Sequence, residues 1–445
     1  MKEIKELYQL YQQYPCITTD SRDCPKDSIF LALKGASFNG NEFAEAALRQ
    51  GCAYAIVDEA PASLSRQGAA LADRFILVDD CLQTYKDLAR EHRRRFDIPV
   101  IGITGTNGKT TTKELIKAVL ETEYNVLATA GNFNNDVGVP KTLFRLNEQH
   151  EIAVIEMGAS HPGDIKTLVE TVEPTCGLIT SVGRAHLLGF GSFEGVVKTK
   201  GELYDFLRSH GGELFINSDN EYLMQMNHGF REVWYYGHSQ RPDIMFKGEV
   251  VSCSPFLKFR WREQDTAKGF ETEWMEVQTH LIGAYNLDNL LAAITVGAAN
   301  GVTFQHINEA LENYIPTNNR SQLTVTAHNR LIVDAYNANP TSMAAAIDNF
   351  RFIEDDHKMA ILGMMGELGD VSTEEHQKVV NMLDKAGFEE VWLVGEEFMK
   401  TQCSFRKFHD VEEVKSEIVR QQPTGRCILI KGSNSVKLFQ LPELL

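Results

Sequence analysis

The sequence predicts an α/β protein of three units: a small N-terminal α/β unit, a central and mostly parallel sheet with an added antiparallel sheet, and a third α/β unit. Three observations lead there. The chain has 445 residues, room for about three domains. Short apolar runs alternate with amphipathic stretches, the pattern of βαβ units with parallel strands. At residues 100–112 an apolar run, a Gly-rich turn and a helix-forming stretch follow one another. That is the strand–loop–helix order a phosphate-binding loop needs.

The elements follow in order. Ile4, Leu7, Tyr8 and Tyr11 fall at helical spacing, so the chain opens with an amphipathic helix. Thr18-Thr19-Asp20-Ser21-Arg22 is a polar loop, and residues 28–33 form a short strand. Asn41 is placed to cap a helix over 42–50, with Gly51 as its stop. Strands at 53–57 and 75–78 and a helix over 82–94 complete a unit ending near residue 97. His92-Arg93-Arg94-Arg95 is the one dense basic run. It reads as a solvated helix end, with a phosphate patch as the other reading.

The central unit begins with the strand at 100–104. Further strands fall at 125–128, 152–156 and 177–182, separated by a polar turn at 131–136 and helices through Ile165 and over 196–207. Residues 231–282 differ: runs at 233–236, 245–251 and 257–261 look like antiparallel strands beside the main sheet. A helix over 286–299 carries Leu287, Leu290, Leu291 and Ile294 on one face. Residues 314–320 read as a linker. Strands at 331–333, 359–362, 390–394 and 427–430, with helices between, make the third unit.

Net charge is −17, which argues against general binding to nucleic acid or to an anionic membrane surface. Eight cysteines contain no C-x-x-C, so neither a zinc knot nor a disulfide framework is expected. The first residues lack the apolar core of a signal peptide, and no apolar run approaches the roughly 18 residues of a membrane span. The expected setting is cytoplasmic.

The chemistry centres on Thr104-Gly105-Thr106-Asn107-Gly108-Lys109-Thr110-Thr111. Glycines let backbone N–H groups close around an anion, and the helix N-terminus adds partial positive charge. Lys109 is placed to reach the outer phosphates and Thr110 to hold Mg²⁺. The spacing departs from the strict motif, because Ile103 stands five residues before Gly108. Glu156 ends an apolar strand, where a phosphate-loop enzyme places a second hard metal ligand. His186 follows the next strand. Lys200 reads as a helix-surface lysine, and Thr199-Lys200-Gly201-Glu202 is a near miss to a guanine-reading motif. Asp334 opens a polar loop after a strand, as a ligand contact or as an Asx turn capping the next helix. Asn286 and Asn289 lie a helical turn apart, facing one ligand or with Asn286 as a cap. Arg320 in the linker either pairs with phosphate or is exposed.

Together these residues resemble the Mur ligase family, ATP-dependent amide ligases of peptidoglycan synthesis. The phosphate loop matches the family's, offset glycines included, and Glu156, His186, Asn286, Asn289, Arg320 and Asp334 occur in matching order. The fullest likeness is to members that add D-alanyl-D-alanine. It is carried by Gly131-Asn132-Phe133-Asn134-Asn135, Glu156-Met157-Gly158-Ala159, Lys200-Gly201-Glu202, Gly283-Ala284-Tyr285-Asn286 and Asp334-Ala335-Tyr336-Asn337-Ala338-Asn339-Pro340. Sister ligases and folylpolyglutamate synthases usually have His where Tyr285 stands.

The resemblance implies an N-terminal UDP-sugar domain (1–97), a central ATP-binding P-loop domain (98–314) and a C-terminal Rossmann-like ligase domain (315–445). It implies that Gly105, Thr106, Asn107, Gly108, Lys109, Thr110 and Thr111 hold the ATP phosphates, that Asn286 and Asn289 meet adenine, and that Arg320 and Asp334 reach ATP. Thr110 and Glu156 would take one Mg²⁺, His186 and a carbamylated Lys200 a second. Lys109, His186 and Lys200 form the catalytic set. Substrate contacts fall on Ser21 and Arg22 at the UDP end and on Asn134, Asn135, Asn337 and Asn339. The implied partners are a UDP-N-acetylmuramoyl tripeptide and D-Ala-D-Ala, with a monomer expected. One stretch departs: where the family often has Asp-Gly-His-x-Phe, this chain reads Asn39-Gly40-Asn41-Glu42-Phe43. The competing expectations are another amide ligase of this fold, such as a folylpolyglutamate synthase, and a regulatory module that hydrolyses ATP without ligation.

Overall fold

A computed structural model of the protein describes residues 3–60, 71–316 and 322–445. The chain is α/β throughout and falls into two compact units. One comprises Met1–Val100, Leu127–Met157 and Thr167–Glu173, the other Ile101–Val126, Gly158–Lys166 and Pro174–Leu445.

The first unit carries a four-stranded parallel sheet, in the order Ile17–Thr18, Ile29–Leu31, Tyr54–Val57 and Phe75–Leu77. The opening helix Ile4–Gln13 buries Leu7, Tyr8, Leu10 and Tyr11, as its spacing predicts. Tyr11 and Tyr85 meet the ring of Phe144 at 5.0 and 5.5 Å. Residues 42–43 belong to a 3₁₀ turn, Gly40–Phe43, ahead of the helix Ala44–Gln50. Asn41 is not the cap expected. The Asn39 side chain accepts from Asn41 N, while the Asn41 amide is buried on Asp58.

The basic run is also corrected. His92 and Arg93, in the helix Cys81–Arg93, are buried. Arg93 donates to the carbonyls of Val172, Glu173 and Phe96. His92 Nε2 sits 3.0 Å from Leu146 O, and its Nδ1 lies 3.0 Å from the Tyr8 hydroxyl. Orphan carbonyls at the end of the helix Asp164–Val172 give an arginine reason to be buried there. Only Arg94 and Arg95 behave as solvated residues, in exposed ion pairs.

The second unit holds a large sheet. From Val100–Thr104 it passes through Cys176–Ile179, Glu213–Asn217, Val233–Gly237 and Phe246–Cys253, all parallel neighbours. The expected antiparallel addition is present at its edge, where Phe256–Asp265 pairs with Phe246–Cys253, Met275–Ile282 and Phe270–Glu271. Val233–Gly237 is the exception, lying parallel because the helix Glu221–Met226 makes the crossover before it. A second, six-stranded sheet runs Gln322–Val325, Arg330–Asp334, Cys427–Lys431, Lys358–Gly363, Glu390–Val394 and Arg406–Phe408. Only its first pair is antiparallel. Its four buried strands are those expected. The two edge strands are additions, too short and too polar to stand out in the sequence.

Strand C-terminal ends position the chemistry. Thr104, Asp334 and Lys431 all end strands of this unit. The strand expected over 177–182 stops at Ile179, and residues 180–183 become the brace of the phosphate loop.

Candidate active site

The phosphate loop leads into the helix Lys109–Leu120. Gly105 and Gly108 adopt φ of +146° and +84°, a backbone that side chains rarely follow. A Cβ on Gly105 would lie 2.1 Å from Thr180 Oγ1, and one on Gly108 2.5 Å from Asn289 Oδ1. Both glycines are therefore required where they stand. The loop is braced from behind. Thr106 N donates to Ser181 O at 2.8 Å, Asn107 N to Ser181 Oγ at 3.0 Å, and Thr180 Oγ1 to Asn107 O at 2.6 Å. Lys109 Nζ folds over the loop onto the carbonyls of Gly105 and Thr106, at 2.8 and 3.1 Å. Thr110 is buried in the first turn.

Lys200 corrects the sequence reading. It lies inside the helix Phe193–His210 but is only 2% exposed. Burial pushes its amine well below its ordinary value, and the charge of Lys109 pushes the same way. Asp164 and Glu202 act against them. Glu202 is anchored elsewhere, accepting from Gly163 N and Lys166 N at 3.1 and 2.8 Å. The guanine-reading motif thus has no counterpart here: its acid caps a neighbouring helix.

His186 sits at φ +51°, immediately before the short helix Leu187–Phe190. Its Nδ1 pairs with the Glu367 carboxylate. Burial lowers its proton affinity, Glu367 opposes that, and Lys109 and Lys200 add to it. Leu188 N also donates to Glu367 O at 3.3 Å. Glu367 escaped the sequence reading. Its one signal was an acid placed just beyond a buried strand, Lys358–Gly363.

Asn286 is not a helix cap. It is buried, donates to Ile282 O at 2.8 Å and accepts from Asn289 Nδ2 at 2.8 Å. Asn289 Oδ1 then accepts from Thr112 Oγ1 at 3.0 Å. This asparagine pair buttresses the phosphate-loop helix. Asp334 is not an Asx cap either. It pairs with Lys431 Nζ at 2.6 Å and, with Tyr285 and Asn349, lines a small cavity walled by Ile282, Phe350 and Leu429. The cap of the helix Pro340–Phe352 is Asn339, which forms a capping box with Ser342. Asn339 Nδ2 also donates to Asn107 Oδ1 at 2.8 Å. Asn337 is exposed, and its backbone carbonyl accepts from Lys431.

In the first unit Glu156 ends the strand Ile152–Glu156, buried to 1%. Asn134 Nδ2 donates to its Oε1 at 2.8 Å. Asn135 Oδ1 accepts from Gly138 N at 2.8 Å, a local role at the start of the helix Gly138–Leu143. Ser21 and Arg22 lie on the expected loop, where Arg22 forms a two-point pair with Asp20. Arg320 lies outside the described residues.

The donors suit a hard cation taken up with a nucleotide. Among the described residues there is no group of three or more His, Cys, Asp or Glu that could hold a metal ion. Mg²⁺ does not require one: it takes one or two carboxylates with phosphate oxygens and water. The Thr110 hydroxyl of the phosphate-loop helix is a donor of that class, and the buried Glu156 carboxylate of the first unit is another, each taken by itself. Lys200 as an ammonium is not. Among the described residues no helix is long and apolar enough to cross a membrane.

Three family profiles match the chain: Mur ligase family, catalytic domain, at residues 13–93; Mur ligase middle domain at 103–297; and Mur ligase, glutamate ligase domain, at 319–434. A UDP-N-acetylmuramoyl-tripeptide--D-alanyl-D-alanine ligase of Bacillus subtilis is 32% identical over 438 residues, covering 96% of this chain and 92% of that protein. The solved structure of MurF from Acinetobacter baumannii matches with a TM-score of 0.83 and 27% identity, over 98% of this chain and 97% of that one. MurF ligase from Thermotoga maritima in complex with ADP shares the fold, with a TM-score of 0.85 at 24% identity over 100% and 98% of the two chains. With matching profiles along most of its length and a relative alike from end to end, the chain belongs to the Mur ligase family.

Proposed function

We propose that the protein is an ATP-dependent amide ligase that joins D-Ala-D-Ala to a UDP-N-acetylmuramoyl tripeptide, a step in making peptidoglycan precursors. The observation that carries this reading is the braced phosphate loop with the buried Lys200. A nucleotide-hydrolysing module needs the loop. It has no evident use for a buried lysine whose amine is held toward the neutral form.

The chemistry is as follows. A terminal carboxylate oxygen of the tripeptide attacks the γ-phosphorus of ATP, and the bond to ADP breaks. The amine nitrogen of D-Ala-D-Ala then attacks the acyl carbon, phosphate leaves, and the nitrogen gives up a proton. Backbone amides of residues 105–111, at the N-terminus of a helix, suit the phosphates. Lys109 offsets charge in a loose phosphoryl-transfer transition state. Thr110 and Glu156 are assigned to one Mg²⁺, His186 and Lys200 to a second. Bound Mg²⁺ would supply charge neutralisation. Lys200 would suit that task once its amine had added CO₂ and released a proton, which replaces a cation by a carbamate oxygen anion.

Asn286 and Asn289 serve the nucleotide through the loop they buttress. Arg320 and Asp334 are assigned to ATP. Ser21 and Arg22 are assigned to the UDP end, and Asn134, Asn135, Asn337 and Asn339 to the substrate region, with Asn135 and Asn339 also holding helix starts. We assign residues 1–97, 98–314 and 315–445 to UDP-sugar binding, ATP binding and ligation. The family profiles fall inside those bounds. The reading includes a cytoplasmic monomer. Incubation with ATP, Mg²⁺, UDP-N-acetylmuramoyl tripeptide and D-Ala-D-Ala should yield the amide product by mass spectrometry. Phosphate formation without that product would overturn the proposal.

A further inference from the structure

Lys431 ends the strand Cys427–Lys431, in register with Asp334 on the parallel neighbour Arg330–Asp334. Its residue surface is 1% exposed. Nζ lies 2.6 Å from Asp334 Oδ2 and 3.3 Å from Asn337 O. Burying an ammonium is costly unless it is well paired, and apolar residues of similar volume commonly hold strands as well or better. The pair is thus a poor device for joining two strands. It is a good one for fixing geometry. One contact sets the direction of the Asp334 carboxylate. The other ties down the loop after Asp334, and that loop ends in Asn339, whose amide reaches Asn107 of the phosphate loop.

Lys431 is too deeply buried to contact a nucleotide. Among the described residues Asp334 accepts no side-chain hydrogen bond except from Lys431, which leaves its second oxygen for a ligand donor. We propose that Lys431 is a positioning residue for nucleotide binding, acting through Asp334 and the 335–339 loop. The inference rests on the reading of Asp334 as a nucleotide contact.

The test compares Lys431→Met, Lys431→Arg, Asp334→Asn and the Lys431→Met/Asp334→Asn double variant in the full chain. Each is studied below its own melting temperature, with ADP binding by calorimetry and KM for each substrate. A lost hydrogen bond to a charged group corresponds to roughly a 10- to 100-fold weaker affinity. Lys431→Met should weaken ADP binding by that range and raise KM for ATP, with KM for D-Ala-D-Ala unchanged. Lys431→Arg should restore part of the affinity. In the double variant the losses should fall well short of additive, because Lys431 acts through Asp334. A merely structural lysine would lower the melting temperature and leave the ATP-to-dipeptide KM ratio alone. Asp334→Asn weakening ADP while Lys431→Met binds it like the parent protein would overturn the inference alone. Asp334→Asn binding ADP normally would overturn the reading of Asp334, and the inference with it.

Discussion

Asn339 Nδ2 donates to Asn107 Oδ1 at 2.8 Å, joining the first turn of the helix Pro340–Phe352 to the phosphate loop 232 positions away in sequence. The same side chain caps that helix through Ser342 N. The two tasks are separable. Asn339→Ser keeps a capping oxygen but is too short to reach Asn107. Asn339→Ala loses both, and a lost cap costs about 1 kcal/mol. Asn339→Ser should keep near-normal thermal stability and raise KM for ATP several-fold, while Asn339→Ala should lose in both. Equal KM for Asn339→Ser and the parent would remove the loop contact from the account.

Lys109→Ala should abolish ATP-dependent ligation and leave the fold intact. Lys109 is half-buried on the phosphate loop, with Nζ donating to the carbonyls of Gly105 and Thr106, so its loss should not disturb the apolar core. Circular dichroism and a melting curve check the fold, and product formation checks the chemistry. Full activity would sink the assignment of the loop.

Gly105→Ala forces a side chain onto φ +146° and into Thr180 Oγ1. Thr180 Oγ1 is also the donor to Asn107 O, so moving it away breaks the brace. The expected cost is at least ~1 kcal/mol of stability, with loss of ADP binding. The Gly105→Ala/Thr180→Ala double variant removes the clash with Oγ1 but neither the tight approach to Thr180 N at 3.0 Å nor the backbone strain, and should recover only part of the stability. Chemical denaturation and calorimetry measure the two effects.

Two buried histidines set a pH dependence. His376 accepts from Met365 N at Nε2 and lies 2.7 Å from Ser372 O at Nδ1, an arrangement that needs the neutral ring. His92 is buried between the Tyr8 hydroxyl at Nδ1 and Leu146 O at Nε2. Burial pushes both below the ordinary 6.5. A depressed folded value means that the unfolded chain takes up protons first. Stability from these rings is therefore complete above about pH 6.5 and declines as pH falls from there toward the folded values. Each ring can contribute up to about 1.4 kcal/mol per pH unit in that window. Urea unfolding at pH 7.5 and 5.5 should show lower stability at the acid end, with a smaller difference in His92→Gln. A flat profile would contradict the neutral assignment.

The parts of this protein legible in the sequence are those with local signatures. The loop from Gly105 to Thr111 announces itself through glycine and lysine spacing, and Glu156 through its place at the end of an apolar run. The buried strands of the C-terminal sheet were readable for the same reason. Residues defined by distant partners were not. Lys200 looked like a surface lysine because nothing near it in sequence shows that its helix face is covered. Arg93 looked solvated because its acceptors are the carbonyls of Val172 and Glu173, some 80 positions on. Asp334 was singled out, but Lys431, which holds it, lies on a strand 97 residues later. Helical spacing puts Asn286 and Asn289 on one face, but Thr112, whose hydroxyl donates to Asn289 Oδ1, is visible only in three dimensions.

The central claim is that the phosphate loop serves an amide bond rather than hydrolysis. Phosphate release from ATP, measured with each acceptor alone and with both together, tests it most directly. The account predicts release only when UDP-N-acetylmuramoyl tripeptide and D-Ala-D-Ala are both present, with one amide formed per phosphate. Release at the same rate with or without the dipeptide would contradict it.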